Sequence, residues 1–596
     1  MLTRVFVNRV TDLLDECKTT EIIQLLKEDR LITESGLSDI VSAVVPNLTS
    51  SASRQKKASF DCCSNVLTFI AENCEATVAV NVFPKHLKHA SDHVHFCTIL
   101  DAMRSCLMRI ERKDRVIFRC LKSIKSYNKA LPLPDEIDDP DDPVIDRIIC
   151  TYKAITLFLE PLIREAKDID SKEKKDHGLG LGDHLVGFLI SLCEKPLCCL
   201  DKYIGEETAY KELVDIIVTH VLHFTGDILY FLDIVGKRSR KLISVKPLRK
   251  YRQRNKELSS HSDKPCDWTF NVSNTEYANF YFYIITKENN WINVPQVYNS
   301  YYVLEACTYF FKILLSEDYS IHNGLIFMEN VVKRIPRRSV DSEVLRLDIY
   351  TELFQPIIKV MIYSDNDKQR KKAVRVFQDY IELFNLEARY TIMLYLYEIA
   401  EHSGLLSFIT GIFKSSIIEC LDSTPRNPQF LGRNMELLLK KVCSLPHGSS
   451  SDVVEISDEI ITALNLLRFL FIRDKNNETG AWNMINMLKK DYLNPLREGI
   501  DLCRAHWRVK TKDLEQQKKD LAKEQDYSKI MKAHMEVALT VGGEQLPVMP
   551  IAEKISICYQ VINGLDVMES ILIRVNECID MNEKCVEKSD GCTESK

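Results

Sequence analysis

The sequence has few of the two residues that most often end helices and form turns. It contains 19 glycines and 19 prolines in 596 residues, about half of their usual combined share of roughly 12%. Sustained period-2 alternation between Asn-Gly or Asp-Gly turns is also missing, so we expect little β structure. Because glycine and proline interrupt regular elements, their scarcity favours long helices.

The chain also lacks a strong excess of either charge. Its formal net charge is -6, which gives no overall attraction to nucleic acid or to anionic membranes. Hydrophobic residues make up 45% and charged residues 28%, as in ordinary folded proteins. We therefore expect a folded chain without a nucleic-acid partner.

Long uninterrupted apolar runs are missing too. The most apolar stretches, 221–235 and 301–315, contain charged residues and fall short of the ~18 to 20 residues of a membrane span. Residues 1–15 have neither the apolar core nor the cleavage site of a signal peptide. The 20 cysteines lie mostly within apolar helical patterns, as expected of reduced thiols. We predict a protein of the cytoplasm, the nucleus or both.

Motifs that carry chemistry are absent as well. Gly236-Lys237 lacks the flanking residues of a P-loop, and neither H-E-x-x-H nor G-x-S-x-G occurs. Histidines at 86, 89 and 93 share a helical spacing with His95 nearby, but the paired ligands typical of zinc sites are missing. We predict no enzyme, no metal and no cofactor.

Helical periodicity is what the sequence does contain, with apolar residues at alternating steps of three and four. The run Tyr277–Ile285 is rich in β-formers but fits the helical period equally well, and we favour a helix. The clearest stripes are Leu304, Thr308, Phe311 and Leu315; Ala373, Phe377, Tyr380 and Phe384; Ile460, Leu464, Leu467 and Phe471; Leu496, Ile500, Cys503 and Trp507; and Cys558, Leu565, Met568, Leu572, Val575 and Ile579.

Amphipathic helices in series over nearly 600 residues predict an all-α fold, an α-solenoid of irregular HEAT- or armadillo-like helix pairs. We divide the chain into N-terminal repeats at 1–134, central repeats at 144–363 and a C-terminal region at 364–596. An acidic loop at 131–143 separates the first two, and a basic loop at 237–256 interrupts the second. Residues 510–532, nearly all charged, are predicted to form an exposed helical extension or a mobile insert.

The C-terminal part of the chain contains a set of short motifs and single residues in a characteristic order. They are RKK at 370–372, Tyr390-Thr391, HSG at 402–404, ALNLLR at 463–468, Asp474, Asn477, Thr479-Gly480, Trp482, LNPL at 493–496, Gly499, Ala505-His506, and Gly543-Glu544 with Pro547, Met549 and Pro550. By these residues the chain resembles the glomulin family from about Arg370 onward. The N-terminal half matches only as a helical pattern, and the charged insert looks longer than the family's.

The resemblance implies a HEAT-like chain whose C-terminal region binds the RING-box subunit of cullin-RING ubiquitin ligases, together with its cullin. In the family this covers the RING surface used by the ubiquitin-conjugating enzyme (E2) and inhibits ubiquitin transfer. Immunophilins are further partners that the resemblance implies. The alternative is a solenoid scaffold or adaptor of vesicle trafficking or nuclear transport, where the same architecture is common.

Six residues of the matching region are the candidates for partner binding: Asn465, Arg468, Asp474, Trp482, Arg497 and His506. Trp482 is either an interface anchor with Arg468 and Asp474 at its rim, or a core residue behind a helix start at Gly480. Asn465 and Arg468 have the alternative role of tying helix ends together. His506 has the same two alternatives, whereas Trp507 continues an apolar stripe and is assigned to the core.

Overall fold

The amphipathic stripes of the sequence form helices whose apolar faces are buried. A computed structural model describes residues 2–28, 34–133, 143–170, 180–204, 208–226, 272–286, 300–523, 540–541, 544–545 and 549–590. Residue contacts divide the chain into two units, which we call unit 1 (Met1–Ile335 and Leu347–Tyr380) and unit 2 (Pro336–Arg346 and Ile381–Lys596). The predicted division into three regions stays a prediction.

The described residues of unit 1 form a series of α-helices. They are α1 (Leu2–Asp15), α2 (Thr19–Glu28), α3 (Glu34–Val44), α4 (Ser50–Gln55), α5 (Lys57–Asn73), α6 (Ala76–Leu87), α7 (His93–Met108), α8 (Ile117–Lys129), α9 (Pro143–Asp170), α10 (Leu181–Ser191), α11 (Leu197–Ile204), α12 (Thr208–Thr225), α13 (Asn274–Thr286), α14 (Ser300–Ser316), α15 (Ile321–Val332), α16 (Asp348–Glu352), α17 (Phe354–Tyr363) and α18 (Asp367–Ile381, which ends in unit 2).

The helices of unit 1 pack in two parallel series. In one series α3, α6, α8, α10, α13 and α15 follow one another, each against the next; in the other, α2, α5, α7, α9 and α12 do the same. Cross-contacts such as α6 against α7 join the series and enclose a continuous apolar core. Because each helix meets its neighbours in sequence, this unit has the architecture of stacked helix pairs.

Unit 2 continues with α19 (Leu386–Ile399), α20 (Ser403–Asp422), α21 (Gly432–Val442), α22 (Ser457–Arg473), α23 (Ile485–Leu488), α24 (Asn494–Lys523) and α25 (Ile551–Asp590). Helix α20 packs between α19 and α22, and α25 packs against both α22 and α24. Two strands of two residues each, Thr540–Val541 and Glu544–Gln545, form one antiparallel pair. The all-α prediction is confirmed.

Among the described residues, one helix, α20, is long and apolar enough to cross a membrane by length and composition. The sequence analysis did not single it out. Its side chains Leu405, Ile409, Phe413 and Ile417 are buried, and the helix packs on neighbours at both sides. These contacts are those of a core helix in a helical repeat.

The apolar stripes lie where the periodicity placed them, and Tyr277–Ile285 is helical and buried throughout. Helix α24 continues to Lys523, so the part of the charged segment 510–532 that the structure describes is a helical extension. The basic loop 237–256 lies outside the described residues, as do 134–142 of the acidic loop. Trp507 differs from its assignment, because it is only partly buried at the edge of the stripe.

Candidate functional site

Helix α22 presents two of the candidate residues to solvent. Its buried face carries Leu464, Leu467 and Phe471 among others, and the opposite face carries Asn465 and Arg468, both partly exposed. One turn further on, Ile472 is 50% exposed. Among the described residues, Arg468 has no ion-pair partner, so its guanidinium remains available to another molecule.

Asp474 ends α22 and organises the loop that follows. Its carboxylate accepts hydrogen bonds from the backbone N–H of Glu478 (2.7 Å) and Thr479 (2.9 Å), and from the Thr479 hydroxyl. The residue is only 2% exposed. Its oxygens are therefore occupied inside the protein, and any effect of Asp474 on a partner acts through the loop that it shapes.

Trp482 packs over this loop with one edge exposed. Its indole N–H donates to the Asp474 carbonyl oxygen (2.6 Å), and its ring lies 4.7 Å from that of Phe471. The Trp482 backbone N–H donates to the Asn477 side chain (3.1 Å). Trp482 is thus a partly exposed aromatic residue fixed by bonds within its own loop, so it is not a fully buried core residue, and its role as an interface anchor stays a prediction.

The loop requires glycine at one position and touches the start of another helix. Gly480 has φ +83°, a left-handed conformation that side chains disfavour, and it precedes the single helical turn Ala481–Met484. The Gly432 N–H, at the start of α21, donates to the Thr479 carbonyl oxygen (2.9 Å). Trp482 is therefore held in place from α21 as well as from α22.

A single π-helical turn, Lys489–Leu493, joins α23 directly to α24. Such turns insert an extra residue and occur frequently at functional sites. Here Tyr492 and Leu493 are buried and anchor the turn, while Pro495 falls within the first turn of α24. The sequence contained no signal for this π-turn, because helical periodicity continues across it.

Helix α24 carries the last two candidates, Arg497 and His506, at opposite edges of its exposed face. They lie nine residues apart, or about 13 Å along the helix. Between these edges the face carries two exposed apolar side chains: Leu502 is 61% exposed and Val509 is 59% exposed. The sequence analysis missed both residues. They lie seven residues apart and outside the buried stripe, which is a spacing that could have indicated a second, exposed apolar face.

Helix α25 is clamped onto α24 by Arg504, which is 9% exposed. Its guanidinium bonds Asp501 of the same helix (3.2 Å) and Asp566 (3.1 Å) and Glu569 of α25. Further along, the Tyr559 hydroxyl donates to Glu515 (2.7 Å), which raises the pKa of that tyrosine. The clamp fixes the exposed faces of α24 and α25 relative to each other.

The six candidates therefore fall into three groups. Asn465 and Arg468 share a face of α22, Asp474 and Trp482 bond each other in the loop, and Arg497 and His506 lie on α24. Helix α25 packs against both α22 and α24. At the candidate residues, unit 2 thus has two partly exposed helix faces and one loop that is held by its own hydrogen bonds.

Comparisons with known proteins identify the family of the chain. The model of a family described as "Uncharacterised protein family, YAP/Alf4/glomulin" matches residues 83–558. Human Glomulin is 25% identical over 493 residues, which cover 82% of this chain and 77% of the human protein. Mouse Glomulin is 26% identical over 438 residues, covering 72% and 69% respectively. The family match includes all six candidate residues, and the chain belongs to the YAP/Alf4/glomulin family.

Proposed function

We propose that this protein is a non-catalytic inhibitor of cullin-RING ubiquitin ligases, which binds the RING-box subunit and its cullin through unit 2. In this proposal it covers the RING surface that receives the E2. Family membership and two relatives named Glomulin support the proposal. An all-α fold of stacked helices also suits a protein that acts by covering a surface.

The observation that carries the proposal is an available arginine beside an exposed apolar side chain on α22 of unit 2, where Arg468 lies one turn from Ile472. On α24, Arg497 and Leu502 are both exposed but lie about 140° apart around the helix axis. Neither arginine has an ion-pair partner among the described residues. Interface hot spots combine such arginines with large apolar or aromatic anchors.

The size of the partner makes the mechanism one of exclusion. A standard interface takes about 800 Å² from each protein, which is a large part of one face of a small RING domain. A helical surface docked over the E2-binding face leaves no room for the E2. Binding of the two proteins is then mutually exclusive, and no chemical step by this protein is needed.

The test is a discharge assay with charged E2 and a neddylated cullin-RING ligase, at a fixed concentration of the full-length protein. Competition weakens as E2 is added, whereas inhibition from a distant site persists at saturating E2. Inhibition that does not respond to the E2 concentration would contradict the proposed mechanism.

The site is tested with Arg468→Glu combined with Leu502→Asp. Both residues are at least partly exposed, so folding should be little affected, and loss of an anchor and an arginine should weaken binding by about 2 kcal/mol or more, roughly 30-fold. Leu157→Asp is the matched control, because Leu157 is 59% exposed on a helix of unit 1. If the control weakens binding as much as the double variant, the site lies elsewhere.

A pull-down from cytosol separates this proposal from the scaffold alternative. Recovery of cullins and their RING subunit supports it, whereas recovery of vesicle coats or transport carriers instead contradicts it. Immunophilin binding and a cytoplasmic or nuclear location stay predictions, which the same pull-down and fluorescence microscopy of the tagged protein address.

A further inference from the structure

Unit 1 contains a carboxylate that is fully buried in the first turn of a helix. Glu276 of α13 has 0% exposure. One of its oxygens accepts the Ser273 backbone N–H (2.9 Å), while the Ser273 hydroxyl accepts the Glu276 N–H (3.1 Å). This reciprocal pair is a capping box, which satisfies two backbone donors at the start of the helix.

The other Glu276 oxygen faces two lysines of α8. Lys125 lies 2.6 Å from it and Lys129 lies 3.3 Å from it. Lys129 also pairs with Glu194 at 2.7 Å, so two carboxylates share one ammonium group. The cluster of Glu276, Glu194, Lys125 and Lys129, which we call the Glu276 junction, joins α8, α13 and the turn after α10.

The partners of Glu276 are closer to water than Glu276 itself. The side chains of Lys125 and Lys129 are 18% and 43% exposed, and Glu194 is 15% exposed. Glu276 is therefore the most deeply buried member of the junction, and burial disfavours the charged form of a carboxyl group. Desolvation, with Glu194 nearby, raises the pKa of Glu276 despite the opposing effect of Lys125.

Other helices packed against α13 contribute bonds to different residues of that helix. Tyr309 of α14 accepts from Asn274 (3.1 Å), Tyr210 of α12 bonds Tyr283 (3.0 Å), and Arg334 after α15 bonds the Ile285 carbonyl oxygen (2.8 Å). None of these three bonds is made to Glu276 itself. Its charged neighbours in the ion pairs are Lys125 and Lys129, with Glu194 bound to Lys129.

We propose that the Glu276 junction is a proton-linked latch, which holds α13 against α8 more tightly when Glu276 carries a proton. Opening of α13 would expose Glu276 to water, where its ordinary proton affinity returns. By linkage, the state that binds the proton more strongly is favoured as the pH falls. The closed junction is that state, so acidification tightens it and a rise in pH loosens it.

The sign of the pH effect follows from the burial of Glu276 behind partners that are closer to water. Glu276 has a pKa above its ordinary value of 4.5 in the folded protein. Its ionised form thus opposes folding at pH values above the folded pKa, and this effect disappears as the pH falls toward 4.5. Most carboxylates in ion pairs act in the opposite direction, since their pKa is lowered.

Glu329 of α15 is such a carboxylate and serves as the control in the same unit. It pairs with Lys333 (2.8 Å) and Lys372 (3.0 Å) and is 21% exposed. Burial acts to raise the pKa of Glu329, but the two lysines outweigh it and lower the pKa. Glu276→Gln and Glu329→Gln therefore have opposite expected effects for the same chemical change.

The experiment measures amide hydrogen exchange of α13 and the thermal midpoint of the full chain between pH 4.5 and 7.5, after correction for the intrinsic exchange rate. In the wild-type protein, protection of α13 should increase as the pH falls, by up to about tenfold for each unit by which the pKa is raised. Glu276→Gln should be as stable as wild type or more stable at pH 7.5, and the two should converge toward pH 4.5.

Glu329→Gln should instead melt below wild type at pH 7.5. The lysines give a second test: Lys125→Met with Lys129→Met leaves a buried, unpaired Glu276 and should lower the midpoint, and adding Glu276→Gln should restore it. The triple variant keeps the test valid if the double variant does not fold. A Glu276→Gln protein that melts well below wild type at pH 7.5, or a wild-type α13 whose protection ignores pH, would overturn the latch.

Discussion

The two units use the same helical architecture but treat charge and apolar surface differently. Unit 1 buries ionic groups: Glu276 is fully buried, and Lys113 is 5% exposed and bonded to Glu165 at 2.8 Å. Unit 2 also buries arginines, but its last two helices expose many large apolar side chains. These are Leu502 and Val509 on α24, and Ile557, Tyr559, Val567, Ile573 and Met581 on α25.

The difference separates two roles of a helical repeat. A buried ion pair contributes little net stability but can specify how a helix is oriented, which matters for α13 because its residues from Glu276 to Ile285 are all buried. Exposed apolar surface has a cost in solubility and marks contact with other molecules. Unit 1 thus illustrates how buried charges orient a helix of the repeat, and unit 2 illustrates how a helix pair keeps apolar side chains exposed.

The largest effect on stability is expected in the loop that follows α22 in unit 2. Asp474→Ala leaves the N–H groups of Glu478 and Thr479 and the Thr479 hydroxyl without their acceptor, and it should destabilise the protein by about 3 kcal/mol. Denaturant unfolding measures the change. Lys475→Ala, on the exposed neighbour, is the control. Equal stability of the two variants would show that the loop does not depend on Asp474.

The next effect compares two glycines of unit 2. Gly480→Ala places a side chain at φ +83° and should cost about 1 to 2 kcal/mol. Gly411→Ala, within α20 where an added Cβ meets open space, should stabilise by about 0.5 to 1 kcal/mol through helix propensity. Thermal midpoints should move in opposite directions. If both variants shifted the thermal midpoint in the same direction, backbone strain would not explain the effect of Gly480→Ala.

Helix caps allow a smaller comparison between the units. Asp92 caps α7 in unit 1; burial acts to raise its pKa, but hydrogen bonds from His95 and Ser50 outweigh burial and lower it. Asn is as good an N-cap residue as Asp, so Asp92→Asn should cost only the lost charge at the helix N-terminus, about 0.3 to 1 kcal/mol at pH 7. The difference should vanish as the pH falls through the lowered pKa, below 3.8. Asn385, which caps α19 in unit 2, is neutral.

Asn385→Ala should have a similar cost in unfolding free energy. That cost should not change over the pH range in which Asp92 titrates. Unfolding free energies from pH 7 to pH 3 measure both variants. A pH-independent effect of Asp92→Asn would show that the charge of Asp92 contributes nothing beyond its hydrogen bonds.

The smallest effect concerns an exposed ion pair. Arg346 and Glu343 lie 2.8 Å apart in unit 2 with side chains 76% and 68% exposed. Glu343→Gln should change stability by less than about 0.5 kcal/mol, because water and salt screen such pairs. Denaturant unfolding at low and high salt checks this expectation, and a larger, salt-dependent loss would place this pair among the structural contacts.

The sequence predicted the helices of α14, α18, α22, α24 and α25, because the apolar stripe of a helix is a local pattern with a fixed period. It also predicted a helix start at Gly480, just before Trp482. It did not predict that Asp474 faces inward, since an aspartate at a helix end can either cap its own loop or remain exposed. The π-turn at 489–493 was not predicted either, because helical periodicity continues across it.

The periodicity of apolar residues, together with scarce glycine and proline, determined by itself that this chain is an all-α helical repeat. Which surfaces remain open was decided only by the tertiary structure. Leu502 and Leu496 belong to the same helix and have the same chemistry, yet one is 61% exposed and the other is fully buried. Glu276 and Glu329 are likewise both helical glutamates, and their pKa values move in opposite directions. The physical reason is that burial and charge pairing depend on which helices pack together, and these contacts join residues far apart in the chain.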